Sequence, residues 1–220
     1  MGPCVGMMDQ WRELLLDAVS PLDAGVRHLE ITGYRPPGDQ AFRPNRTAAV
    51  LVPLLDLPEP EVVFTRRADH LPNHAGQVSF PGGAAEENDV SAVQTALREA
   101  YEEIGLPNKV TRPLGFLDRM DTISDYRVLP VVALVTPPVS WVLDEREVAE
   151  VFTVPLSVIL DAEQYEAKTS QWQGNEYTLY TLHWQGQKIW GATAAMLMNL
   201  IQRMQATHER RNPRFSSTTQ

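Results

Sequence analysis

The chain has 220 residues, of which 43% are hydrophobic and 21% charged, and its net charge is −9. This composition is typical of a folded globular protein and excludes a disordered or fibrous chain, while a surface of this sign repels nucleic acid. The single cysteine, Cys4, excludes an internal disulfide and favours a reducing cytoplasm, and the longest apolar stretch, residues 128–135, is far shorter than the roughly 20 residues of a membrane helix.

The first half of the chain is predicted to contain one helix and two strands. Helical spacing of apolar residues predicts a helix over Asp9–Val19, which a Gly- and Pro-containing surface loop follows to about Pro44. Strands are predicted at Thr47–Leu55 and Glu61–Arg67, and the first should be buried on both faces because nearly all its positions are apolar. Residues 68–89 then form a long loop with a short strand at 77–80, and loops of that length are usually functional.

The second half is predicted to alternate between helices and strands. We expect, in order, a helix at Ser91–Ile104, strands at Leu114–Met120 and Val128–Val135, a short helix from Pro155, a hairpin at Tyr165–Trp184 turning at Gly174-Asn175, and a last helix at Trp190–Gln205. Mixed strands and helices with long crossovers indicate an α/β sandwich with a mixed sheet. The expected organisation is an N-terminal helix and loop (1–45) packed on a main domain (46–206), with a flexible tail (207–220).

The helix at Ser91–Ile104 has well-defined ends and carries three carboxylates. Ser91 and Gln94 form a capping-box pattern, and Gly105 stands where a left-handed residue ends a helix. At 100° per residue, the acidic side chains fall within about 100° of arc. These side chains are Glu99, Glu102 and Glu103. Their mutual repulsion would be relieved by a divalent cation, and oxygen ligands alone favour Mg²⁺ or Mn²⁺. The alternative is an exposed, solvated acidic face.

The segment before this helix has the charge and flexibility needed to bind phosphate. Gly82-Gly83 allows the backbone to bend sharply or to approach a ligand closely. The segment from Thr65 to Phe80 contains two arginines, Arg66 and Arg67, and one aspartate, so its net charge is +1. Residues 84–103 have a net charge of −5. A cationic loop beside an anionic metal site suits a substrate that has both phosphates and a bound metal.

The run Arg98-Glu99-Ala100-Tyr101-Glu102-Glu103-Ile104-Gly105-Leu106 resembles the core of the Nudix box at every fixed position. Gly83 lies one residue farther from Arg98 than in the commonest box, and Asp89 stands near the usual upstream glutamate. This longer form, together with residues 64–68, Gly76 and 80–83, resembles the coenzyme A pyrophosphatase branch, although that branch usually has arginine where this chain has Pro72. The resemblance extends over about residues 47–204.

The resemblance implies a Nudix α/β/α sandwich that hydrolyses a diphosphate bond. It implies that Glu99, Glu102 and Glu103 bind Mg²⁺ or Mn²⁺. We expect Arg98 to hold in place either a glutamate of the box or Gly82-Gly83, which we call the glycine segment. Substrate contacts are expected from Arg66, Arg67, Gly82 and Gly83. The general base is either Glu99 or an acid of residues 144–147, and we favour Glu147, which could reach the site on a mobile loop.

The expected substrate is coenzyme A or acyl-CoA, cleaved to phosphopantetheine, or its acyl form, and adenosine 3′,5′-bisphosphate. An alternative within the same class is another nucleoside diphosphate derivative, such as ADP-ribose or NADH, or a nucleoside triphosphate. A rival from another class is a Nudix-fold sensor that binds a nucleotide without turning it over. We expect no nucleic-acid or membrane partner, and a homodimer is left open.

Overall fold

A computed structural model describes residues 8, 10–26, 29–33, 43–172 and 175–213, and within them two sheets and four α-helices form the fold. The larger sheet contains β1 (Ser20–Pro21), β2 (Ile31–Gly33), β3 (Arg46–Leu55), β4 (Glu61–Arg67), β5 (Val78–Ser79), β6 (Gly82–Ala84), β7 (Thr111–Phe116), β8 (Arg119–Asp121), β9 (Tyr126–Val135) and β10 (Val148–Pro155). The smaller sheet contains β11 (Tyr165–Trp172), β12 (Asn175–Trp184) and β13 (Gln187–Trp190). The helices are α1 (Trp11–Ala18), α2 (Ala92–Ile104), α3 (Leu156–Ile159) and α4 (Gly191–Arg211), with short 3₁₀ turns at Leu22–Ala24, Asn108–Val110 and Ala162–Gln164.

The larger sheet is mixed, as predicted. Its main strand order is β1-β7-β9-β3-β4-β10, and the central pair β3–β9 is parallel over the whole length of both strands. The pairs β7–β9, β3–β4 and β4–β10 are antiparallel. The short strands β5 and β6 pair with β4 and β3, which brings the segment between β4 and α2 back along the centre of the sheet.

Two apolar cores lie on opposite faces of this sheet and give the predicted three-layer arrangement. One core joins α2 to the sheet and includes Ala49, Leu51, Ala96, Ala100 and Ile104. The other joins the sheet to α1, α4 and the smaller sheet, and includes Trp11, Leu14, Phe64, Leu182 and Leu200. Both faces of β3 are therefore covered from Leu51 onward, in agreement with its nearly continuous apolar sequence.

The N-terminal helix is part of this second core. Arg203 of α4 donates to the Ala18 carbonyl oxygen at 2.7 Å, to the Ser20 hydroxyl at 2.8 Å and to the Asp118 carboxylate at 2.8 Å. These bonds satisfy polar groups at the end of α1 that the protein would otherwise bury without partners. Within the described residues, the helices are too short or too polar to cross a bilayer.

Several predicted boundaries were wrong. The strand predicted at Leu114–Met120 is divided into β7 and β8, because Asp118 turns out of the sheet toward Asn199 and Arg203. The last helix continues past Gln205 to Arg211, whose guanidinium pairs with Glu13 and Asp17 of α1. Strands β1, β2 and β13 were not predicted. Strands β1 and β2 are short and pair with strands far along the chain, whereas β13 has only four residues and pairs with the adjacent β12. Asp9 and Gly174 lie outside the described residues.

A buried ion pair between β8 and β9 supports the first stability prediction. Asp121 has a fully buried side chain and accepts from Arg127 at 2.6 and 2.8 Å. Asp121→Asn removes the charge that balances the arginine, and we expect a loss of about 2–4 kcal/mol in the free energy of unfolding, because breaking a buried pair leaves an unpaired charge. Urea denaturation measures this loss. Glu163→Gln, at an exposed position, is the control, and equal midpoints for the two variants would contradict the prediction.

Candidate active site

Local capping interactions fix both ends of α2 and thereby set which of its side chains face the sheet. Ser91 Oγ accepts a hydrogen bond from Gln94 N at 3.2 Å, as predicted, whereas Gln94 Oε1 accepts from Val90 N rather than from Ser91 N. At the other end, Gly105 has a left-handed conformation with φ of 66°, which only glycine adopts at little cost. The helix therefore begins and ends where its capping residues predict.

Glu103 is buried against the glycine segment. Its side chain and backbone are only 5% exposed, and its Oε2 accepts a hydrogen bond from Gly82 N at 3.1 Å. Gly82 has φ of 156°, and an added Cβ would lie 2.5 Å from the Ala49 carbonyl oxygen, so no other residue fits here without movement. Burial raises the pKa of Glu103 to about 8, although the Gly82 hydrogen bond and the charge of Arg67 act in the opposite direction.

Glu99 lies one helical turn earlier and contacts the next glycine. A Cβ on Gly83 would come within 2.6 Å of the Glu99 carboxylate, so the absence of a side chain at Gly83 creates the space that this carboxylate occupies. Burial raises the pKa of Glu99, and the negative charges of Glu102 and Glu147 act in the same direction. Glu99 and Glu103 therefore form a close, partly desolvated pair of acids against strand β6.

Glu102 is more exposed, and Arg98 holds it. Arg98 Nη1 donates at 3.0 Å to both Glu102 and Glu99, and Arg98 Nη2 donates to the Ala84 carbonyl oxygen at 3.1 Å. The same guanidinium forms a bidentate pair with Asp89, at 3.2 and 2.9 Å. Arg98 thus links α2 to the glycine segment.

Asp89 is a supporting residue to which the sequence assigned no role. Its side chain is 4% exposed and accepts hydrogen bonds from Thr95 Oγ1 and Glu86 N, each at 3.0 Å, as well as from Arg98. The hydrogen bonds from Arg98 are the main reason that the pKa of Asp89 lies well below its usual range. The useful sequence signal was its position before the helix, near the upstream glutamate of the box that the sequence resembles.

The two arginines predicted to bind substrate lie on opposite faces of β4, because successive strand residues alternate between faces. Arg67 is on the side of α2, where its charge lowers the pKa of Glu103. The Arg67 Nε is buried and has no hydrogen-bond partner among the described residues, although a buried donor of this kind normally has one. Arg66 is on the other face, paired with Asp69 and Glu150.

Glu147 is an exposed residue immediately before β10, near the acid pair. Its negative charge raises the pKa values of both Glu99 and Glu103. Its backbone is hydrogen-bonded on both sides, since Ala68 N donates to the Glu147 carbonyl oxygen at 2.8 Å and Glu147 N donates to the Asp144 carbonyl oxygen at 2.9 Å. These two backbone hydrogen bonds hold Glu147 in position immediately before β10.

The chemistry of the acid pair suits a hard divalent cation. The nearby donors are carboxylate oxygens, which favour Mg²⁺ or Mn²⁺ over softer metals. The negative charge of Glu147 raises the pKa values of Glu99 and Glu103, and that of Glu99 also raises the pKa of Glu103; a bound cation would act in the opposite direction. In the part of the chain that the structure describes, no three acidic, histidine or cysteine side chains already converge as a metal cluster, and the Glu102 carboxylate faces Arg98.

Comparison with known proteins places these residues inside a recognised domain. The family model described as "NUDIX domain" matches residues 45–173, which include the glycine segment, α2 and Glu147. The chain is 42% identical over 160 residues, 73% of its length, to proteins named "Uncharacterized Nudix hydrolase NudL" from Yersinia pestis and Yersinia pseudotuberculosis, and covers 80% of each.

Among solved structures, a NUDIX hydrolase from Alicyclobacillus acidocaldarius is similar with 21% identity and a TM-score of 0.45, over 78% of this chain and 98% of the other. The family match ends at residue 173, before β12, β13 and α4. Of the three-stranded sheet, β11 lies within the matched residues, and β12 and β13 lie beyond them.

Proposed function

The chain belongs to the Nudix family and is one of its hydrolases, and on this premise we propose that it cleaves the diphosphate linkage of coenzyme A or acyl-CoA. The observation that carries the chemical part of the proposal is the placement of Glu99 and Glu103 against Gly82 and Gly83. There a diphosphate would meet carboxylates that hold a cation, a backbone without side chains, and the cationic Arg67.

The reaction is hydrolysis at phosphorus. A water oxygen forms a new bond to one phosphorus of the diphosphate, the bridging P–O bond breaks, and a base takes the proton of the water. The products are phosphopantetheine, or its acyl form, and adenosine 3′,5′-bisphosphate. Glu147 is the proposed base, because its exposed side chain carries charge close to Glu99 and Glu103 and has no hydrogen-bonded partner among the described residues.

We propose that Glu99, Glu102 and Glu103 bind Mg²⁺ or Mn²⁺. Such an ion, when bound, neutralises charge on phosphate oxygens and lowers the pKa of water. Glu103 has no ion pair with Arg98, whereas Glu99 and Glu102 both accept hydrogen bonds from Arg98 Nη1 and would exchange them for the ion. Arg98 would remain anchored by Asp89 during that exchange.

Support for a coenzyme A-like substrate comes from the segment before α2. Residues 64–68, Gly76 and residues 80–83 resemble the coenzyme A pyrophosphatase branch, and in the structure the segment that contains them runs from β4 through β5 to β6. Arg67 N donates to the Gln77 carbonyl oxygen at 3.0 Å, so the two ends of the loop are closed against each other. Pro72, which stands where that branch usually has arginine, lies in the middle of this loop, away from the hydrogen bond that joins its two ends.

A substrate panel tests the proposal. The purified protein is incubated with coenzyme A, acetyl-CoA, ADP-ribose, NADH and nucleoside triphosphates, with Mg²⁺ or Mn²⁺, and the products are identified by mass. We expect fastest turnover of the two coenzyme A compounds. Preferred cleavage of ADP-ribose or NADH would replace the substrate assignment, and tight binding without turnover of any compound would identify a nucleotide sensor instead.

Arg67 gives a prediction about phosphate binding. Its unpartnered Nε and its position beside Glu103 suit a charge-assisted bond to a substrate phosphate, and such bonds contribute about 1.5–3 kcal/mol. Arg67→Ala should therefore lower kcat/KM for coenzyme A by roughly ten- to a hundredfold. The matched control is Arg112→Ala on the exposed face of β7. Equal kcat/KM values for the two variants would show that Arg67 serves the fold alone.

A further inference from the structure

A polar cluster joins β4 to the smaller sheet on the face opposite α2. Arg66 Nε donates to Glu150 Oε2 at 3.4 Å, and Gln187 Nε2 donates to the same oxygen at 2.9 Å. Arg66 Nη1 donates to Asp69 Oδ1 at 3.0 Å. Arg66 is thus bracketed by two carboxylates, one of which is fixed by a residue that lies beyond the matched Nudix domain.

The two carboxylates differ in how firmly they are held. Glu150 is the cross-strand neighbour of Arg66 in the β4–β10 pair, and Gln187 follows directly after the tight turn Gln185–Gly186 between β12 and β13. Asp69 lies in the loop after β4, and its side chain is 76% exposed. An incoming anion can therefore replace Asp69 while Glu150 and Gln187 keep the guanidinium in place.

Strand β5 connects Arg66 to Gly82 and Gly83, which contact the acid pair. Strand β5 pairs Val78 with Arg66, and Val78 is four residues before Gly82, so Val78 and Gly82 are at most about 14 Å apart. Arg66 has five N–H donors, of which Asp69 and Glu150 engage two, and its side chain is 27% exposed. It can therefore form bidentate hydrogen bonds to a phosphate, as arginine often does.

We propose that Arg66 binds a second anionic group of the substrate, separate from the diphosphate that is cleaved, and that Glu150 and Gln187 position its guanidinium while Asp69 is the partner that the anion replaces. The site takes a phosphate monoester attached to the nucleotide part of the substrate. The inference rests on the proposed function, because coenzyme A carries such a phosphate on its ribose. Arg66 and the smaller sheet then select between substrates that share the same diphosphate.

A matched pair of substrates tests the role of Arg66. Coenzyme A and 3′-dephospho-coenzyme A differ by the single phosphate monoester, so kcat/KM is measured for both. We expect the wild-type protein to prefer coenzyme A by about ten- to a hundredfold, the range for hydrogen bonds to charged groups. Arg66→Ala should reduce this preference to about one- to twofold, while Arg112→Ala, on the exposed face of β7, retains it.

Two further variants test the positioning, and they are expected to act in opposite directions. Gln187→Leu removes the donor that fixes Glu150 without changing any charge, so KM for coenzyme A should rise about three- to tenfold with kcat retained. Asp69→Asn removes the competing carboxylate, so KM should fall about two- to fivefold. Neither change should alter KM in the Arg66→Ala background. Gln171→Leu, at an exposed position of β11, is the control for Gln187→Leu.

Binding without added metal separates this inference from the proposed function. Calorimetric titration with coenzyme A and with 3′-dephospho-coenzyme A requires no turnover. If neither compound is cleaved but the wild-type protein binds coenzyme A more tightly, and Arg66→Ala removes the difference, the proposed function fails and the inference holds. Equal affinities of the wild-type protein for the two compounds, or a preference that survives Arg66→Ala, would overturn the inference.

Discussion

Glu103→Gln is expected to lower turnover at least about 100-fold while the protein remains folded. The amide keeps the size of the side chain, and its oxygen can still accept the hydrogen bond that Gly82 N donates to Glu103. What it loses is the negative charge that would bind a divalent cation beside Glu99. The loss should therefore appear in kcat at saturating Mg²⁺, with far-ultraviolet circular dichroism unchanged.

The same substitution makes a prediction about stability without metal. Glu103 is buried, and burial together with the charges of Glu99 and Glu147 disfavours its ionised form, so replacing it with a neutral amide should leave the melting temperature unchanged or raise it. Glu176→Gln, at an exposed position on β12, controls for the loss of one negative charge. Near-wild-type turnover of Glu103→Gln at saturating Mg²⁺ would remove Glu103 from the metal site.

The sequence predicted that three acids share one side of α2, but not which of them are buried. Helical geometry places Glu99, Glu102 and Glu103 within one arc, and this follows from spacing alone. Their burial depends on what packs against the helix, and that is β6, whose two glycines contact Glu103 and Glu99. Because β6 pairs with β3, more than 30 residues earlier in the chain, periodicity along α2 could not separate the buried acids from the exposed Glu102.

The arginine pair shows a similar limit. The prediction of a cationic region from a net charge of +1 before the glycine segment treated Arg66 and Arg67 alike. Strand geometry then places them on opposite faces of β4, one toward α2 and the other toward the smaller sheet. The partners of Arg66 could not be predicted, since Gln187 lies about 120 residues later in a strand with little sequence signal.

Glu147→Gln should lower kcat at neutral pH by roughly 10²–10⁴ with little change in KM, as the loss of a general base does. A carboxylate that binds a divalent cation becomes less basic, so an acid outside the metal set is better suited to accept the proton from water. Glu147 meets this condition because it is exposed, and its charge acts on both Glu99 and Glu103. Rapid-quench measurement of a single turnover would show whether the chemical step itself is slowed.

The contacts of residues 144–147 indicate which acid of this segment is available to act as the general base. Asp144 is paired with Arg146, and its backbone N donates to the Glu103 carbonyl oxygen at 3.0 Å, which fixes the segment to the end of α2. Glu145 is equally exposed, but its charge is not among the main influences on the acid pair. Glu145→Gln should therefore keep most of the wild-type kcat. If Glu147→Gln also keeps more than about half of it, where loss of a general base costs at least about 100-fold, the base belongs to α2, and Glu99 becomes the residue to replace next.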